Sequence, residues 1–106
     1  MIPSVGQGTT GIGSFTSASQ SDVKQKINII KSGIDAGMSL LDTSDNYEGG
    51  FGEFLTSKVI RDCRHDVFLC TKFEPINNTY DGIIKSIERS LKVLDTDYID
   101  LYQVHW

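Results

Sequence analysis

The chain has 106 residues, 39% apolar and 23% charged, with a formal charge of −4. That suits one small domain of ordinary globular composition and argues against wholesale disorder. It has no block of like charge and no run of about 20 apolar residues, so neither nucleic acid nor membrane is an expected partner.

The start, Met1 to Thr10, lacks the basic opening and apolar run of a signal peptide. Ile2 to Gly8 reads as a short extended piece, and the Gly-, Ser- and Thr-rich Thr9 to Gln20 as a loop. Ser19 or Ser21 can cap a helix beginning near Asp22. Its apolar stripe is Val23, Ile27, Ile30 and Ile34, and Gly37 stops it. Met38 to Leu41 is a short apolar strand ending at Asp42. A glycine-bearing loop, Thr43 to Gly52, leads to a helix over Glu53 to Ile60. Val67 to Thr71 is the next strand, ending at Lys72. After the loop Glu74 to Asn78, Asn78 or Thr79 caps a helix with the stripe Ile84, Ile87, Leu91 and Leu94. Tyr98 to Val104 forms the last strand, followed by His105 and Trp106. Cys63 and Cys70 have neither CxxC nor metal-ligand spacing and are expected to be reduced, buried thiols of a cytoplasmic protein, with no metal site.

Strands alternating with helices predict an α/β fold with parallel pairing. Three strands end on Asp42, Lys72 and His105, and Tyr47 follows Asp42 by five residues. In parallel α/β folds the carboxyl ends of the strands open onto one face, where active sites are built. Taken singly, each residue is more often structural: a turn-forming Asp, a packed Tyr, a solvated Lys, a hydrogen-bonded His. Four of them converging on one face point to chemistry.

Gly6-Gln7-Gly8-Thr9, then Gly37 through Asp42-Thr43-Ser44 with Tyr47 and Glu53, then Thr71-Lys72-Phe73, then Asp97 through His105-Trp106 appear in order. This set resembles the aldo-keto reductase family over essentially the whole chain. Glu48, Gly52, Thr56 and Ser57 depart from the family's usual Gly, Ser, apolar residue and Gly.

The resemblance implies a catalytic tetrad of Asp42, Tyr47, Lys72 and His105, with hydride coming from NADP(H). It makes Tyr47 the general acid for a small-molecule carbonyl substrate, Lys72 the cation that favours the phenolate, and Asp42 the partner holding Lys72. His105 would orient the carbonyl, and Trp106 would line the substrate pocket. Gly8, Thr9 and Thr10 would lie near the nicotinamide, and Asp42 would reach its ribose. The implied fold is a parallel half-barrel: the first four strands and three helices of a (β/α)₈ barrel, which needs roughly 200 residues or more. Residues 1–106 are therefore expected to be a truncated N-terminal half, able to self-associate through its open edges. The alternative is a noncatalytic half-barrel that associates with a partner. An unrelated flavodoxin-like module would share only the alternation of elements.

Overall fold

A computed structural model describes all of residues 1–106. Four strands lie side by side in chain order, all parallel: β1 (Gly6–Gly8), β2 (Leu40–Asp42), β3 (Phe68–Phe73) and β4 (Leu101–Val104). Gly8 pairs with Asp42, Asp42 with Cys70, and Lys72 with Gln103. Three helices make the crossovers: α1 (Gln20–Asp35), α2 (Phe51–Ile60) and α3 (Tyr80–Leu94).

The helix starts follow capping chemistry. Ser19 accepts the Asp22 backbone N–H while the Asp22 carboxylate accepts the Ser19 N–H, a reciprocal capping box. Thr79 caps α3 by accepting the Gly82 N–H at 3.1 Å. Before α2, Glu48, Gly49 and Gly50 all take positive φ, 48°, 67° and 95°. This left-handed run ends a 3₁₀ turn at Tyr47–Gly50 and lets α2 begin at Phe51, two residues earlier than its sequence pattern suggests.

The core lies between the sheet and the helices. Leu41 and Leu69 of the sheet, Ile30 of α1, Phe51, Leu55 and Val59 of α2, and Leu94 of α3 meet there. Helix α2 is buried over most of its surface, with the polar residues Glu53, Thr56 and Ser57 included. Gln7 ties β1 to its neighbours, donating to the carbonyls of Ile30 and Met38 at 3.0 Å each. Its amide presses on Gly33, where any Cβ would collide with it.

Other expectations shift as well: β2 runs over Leu40–Asp42 rather than Met38 to Leu41, and β3 over Phe68–Phe73 rather than Val67 to Thr71. On α3 the buried face runs through Ser86, Ser90 and Leu94, while Ile84 is 43% exposed. Strand β4 begins at Leu101 rather than Tyr98. Arg64 takes the Tyr98 carbonyl at 2.8 Å and the Asp100 carboxylate at 2.9 Å, and Asp100 joins β3 through its N–H to the Leu69 carbonyl at 3.0 Å and its carboxylate to the Leu69 N–H at 2.8 Å, a side chain standing in for a backbone acceptor.

Candidate active site

Parallel pairing brings the carboxyl ends of β2, β3 and β4 to one edge, and the four candidate residues meet there. Lys72 stands one residue before the end of β3, Asp42 ends β2, and His105 follows β4. The chain leaving β2 is tied back to the sheet. The Thr43 N–H donates to the Cys70 carbonyl at 3.0 Å, and the Asp45 N–H to the Lys72 carbonyl at 3.1 Å. These ties bring the following turn, with Tyr47, over the edge. The His105 N–H donates to the Phe73 carbonyl at 3.0 Å and fixes the other flank.

The Lys72 ammonium is the hub. It donates to both carboxylate oxygens of Asp42 at 2.9 and 2.8 Å, to the Thr43 carbonyl at 2.9 Å and to the Tyr47 hydroxyl at 3.1 Å. Burial alone would lower its pKa. The hydrogen bonds to Asp42 and Tyr47 outweigh that, so it stands above the ordinary lysine value. Lys72 therefore remains a cation beneath the phenol. The His105 ring meets the Tyr47 ring edge-on, with centroids 5.4 Å apart, and Trp106 stacks on His105 at 4.5 Å.

The nearby cofactor candidates sit differently. Thr9 is buried, with its hydroxyl donated to Thr43 Oγ1 at 2.8 Å and its N–H to the Asp42 carbonyl at 3.0 Å. Thr10 and Gly8 are exposed along the same edge. Gly52 explains one departure from the family pattern. A Cβ there would lie 2.9 Å from Thr43 Oγ1 and 3.0 Å from Thr9 Oγ1, so glycine makes room for the paired threonines.

The structure adds residues that the motif reading did not single out. Ser44 is fully buried and lies 3.3 Å from His105 Nδ1; it donates to Asn46 Oδ1 at 3.0 Å. Asn46 in turn donates to Glu74 Oε1 at 2.9 Å. The side chain of Asp45 is 4% exposed and pairs with Arg89 at 3.1 Å. Burial pushes its carboxyl above the ordinary value, against the pull of Arg89. Ser44 stands in the Asp42-Thr43-Ser44 motif, where nothing marks it as a partner of His105, and the only sequence signal of Asp45, Asn46 and Glu74 is that they lie near Tyr47 and Lys72. Tyr102, by contrast, keeps a buried hydroxyl without a partner, and burial pushes it up to about 12. No cavity encloses the tetrad: the three that indent the surface are lined by neither Tyr47, Lys72 nor His105.

The chain belongs to the aldo/keto reductase family, whose model matches residues 4–106. It is 38% identical over 105 residues to methylglyoxal reductase YeaE of Escherichia coli (strain K12), an alignment covering 99% of this chain and 36% of that one. Its fold is a parallel half-barrel that matches part of the solved family members. One is the thermostable aldo-keto reductase Tm1743 in complex with the inhibitor epalrestat, with a TM-score of 0.87 and 40% identity over 99% of this chain and 39% of that one. Another is an aldo-keto reductase from Klebsiella pneumoniae in complex with NADPH, with a TM-score of 0.89 and 31% identity over 99% of this chain and 36% of that one. The chain thus spans about a third of the length of the curated relatives it matches.

Proposed function

We propose that residues 1–106 are the N-terminal half of an NADP-linked barrel enzyme that reduces small aldehydes or ketones to alcohols. The observation that carries this reading is the position of the Lys72 ammonium, bonded at once to Asp42 and to the Tyr47 hydroxyl. The relatives' activity and the NADPH-bound neighbour support it.

The donor set fits a nicotinamide cofactor. It offers a proton donor, a cation and an imidazole on an open edge, and none of these side chains can deliver a hydride. NADPH, when bound, supplies that hydride to the carbonyl carbon. Tyr47 gives its hydroxyl proton to the carbonyl oxygen as charge develops there, completing the alcohol. Lys72 stabilises the phenolate left behind, and Asp42 holds Lys72 in reach. His105 orients the carbonyl oxygen, and Trp106, 85% exposed, lines the substrate side. Thr10 and Gly8 border the nicotinamide side of the edge, and the Thr9 hydroxyl braces it from beneath. The Asp42 side chain is 35% exposed, which leaves it reach toward the ribose. Two free thiols suit the reducing cytoplasm.

The test is aldehyde-dependent oxidation of NADPH by the protein at its relatives' length. Turnover of small aldehydes is expected. NADPH binding without oxidation by any of a panel of aldehydes and ketones would remove this reading. A noncatalytic half-barrel would then be favoured.

A further inference from the structure

The polar side chains behind His105 form a chain whose direction is fixed at one end. The Glu74 carboxylate only accepts, so Asn46, at 2.9 Å, must turn its NH₂ group to Glu74 and its Oδ1 away. Ser44 Oγ lies 3.0 Å from that Oδ1 and gives it the single hydroxyl proton. With its proton committed, Ser44 Oγ can only accept from His105 Nδ1, 3.3 Å away. Running the chain backwards would set acceptor against acceptor between Asn46 and Glu74. In this half-buried setting, where Ser44 is fully enclosed, such a contact is costly.

We infer that Glu74, Asn46 and Ser44 are positioning residues that hold neutral His105 as the Nδ1–H tautomer, leaving Nε2 without a proton. The inference rests on the proposed reading that His105 meets the substrate oxygen, and it specifies how. A bare Nε2 accepts a hydrogen bond, which suits the hydroxyl of an alcohol. To donate to a carbonyl oxygen, the ring must become imidazolium. Carbonyl binding through His105 is thus switched on by protonation, and alcohol binding by its reverse. The groups facing the ring are the Tyr47 phenol and, stacked on it, the Trp106 indole. Beyond them, Asp45 pairs with Arg89, Glu74 ends the hydrogen-bonded chain, and Lys72 lies under Tyr47.

Nitrogen-15 NMR of the full-length protein with labelled histidine reads the tautomer directly. A His105→Gln variant assigns the His105 signals as the ones that disappear. Above the protonation range, His105 is expected to carry its proton on Nδ1, with a preference of roughly tenfold, the ratio one neutral hydrogen bond supports. Glu74→Gln keeps the size of the side chain but can donate as well as accept, so the chain can run either way. The preference should fall to near parity. Glu74→Asp keeps an acceptor-only end and should retain it. A wild-type His105 protonated on Nε2 would overturn the inference whatever the variants do. So would an unchanged preference in folded Glu74→Gln. Steady-state kinetics separates this from the functional reading. The KM for aldehyde should rise with pH in the wild type and flatten in Glu74→Gln, with the opposite trend for alcohol. The expected tautomer with an unmoved KM profile would support the positioning chain and remove His105 from substrate binding.

Discussion

Tyr47 and Lys72 make opposite demands on a variant. In Tyr47→Phe the ring still meets His105 edge-on, and only the hydroxyl 3.1 Å from Lys72 Nζ is lost. General acid catalysis contributes about 10² to 10⁴, so kcat should fall at least about a hundredfold while NADPH affinity holds. Near-native kcat in that variant would exclude Tyr47 as the proton donor. Lys72→Met should slow the reaction as severely and also destabilise the fold, because it strips Asp42 of the cation to which both its oxygens are bonded. A Lys72→Met protein as stable as the wild type in urea would contradict that pairing. At this scale the sequence is informative where chemically capable residues gather at strand ends: Asp42, Lys72 and His105 are visible from spacing alone. Ser44, Asn46 and Glu74 are not. A Ser, an Asn and a Glu in loops are ordinary, and only the folded chain lines them up behind an imidazole.

At the scale of elements, helix ends and buried faces carry the stability predictions. Asp95 follows α3 at φ 53°, in the left-handed region that glycine adopts freely. Asp95→Gly should stabilise the protein by about 1 kcal/mol, read as a raised Tm, and a lowered Tm would contradict it. Glu53 sits on the buried face of α2, accepting from the Thr71 hydroxyl at 2.7 Å. Burial raises its carboxyl above the ordinary 4.5, and the Thr71 bond only partly opposes this. The folded state therefore holds the proton more firmly than the unfolded chain. Its stabilising effect is complete below the unfolded value and is lost as pH climbs through the raised one. Glu53→Gln keeps an acceptor for Thr71 and removes the titration. Its urea midpoint should gain on the wild type between mildly acidic and neutral pH, and parallel midpoints would refute the assignment. The order of elements was legible because apolar periodicity reports burial. Details failed where polar residues do the burying. Ser86 and Ser90 face inward on α3 although no hydrophobic pattern marks them, while Ile84, which the apolar stripe includes, faces outward. The early start of α2 was hidden because Glu48 gives no sign that it will take a positive φ.

The whole molecule is a four-stranded parallel sheet, with β1 and β4 each hydrogen-bonded on one side only. Leu101 and Val104 of β4 are 44% and 41% exposed, and Trp106 stands almost free beside them. Unpaired ladder groups next to apolar side chains form a template for another chain. The 106-residue polypeptide by itself should therefore self-associate, and sedimentation showing a clean monomer at tens of micromolar would refute this. The same openness governs cofactor binding. A site that holds a small molecule tightly encloses most of its surface, and micromolar affinity represents roughly 8 kcal/mol. Here the tetrad lies on an open edge. Lys72 is already committed to Asp42, Thr43 and Tyr47, and the Thr9 hydroxyl to Thr43. Asp42 and Thr10 leave little polar surface to grip a dinucleotide. The 106 residues alone should therefore show no NADPH binding at micromolar concentration when followed by nucleotide fluorescence. Extending the protein to its relatives' length should restore binding, because a second half of the barrel would close the face on which Tyr47 and His105 stand. Micromolar binding by the 106 residues, lost on Asp42→Asn, would instead mean that this edge carries far more of the cofactor site than its exposed groups indicate.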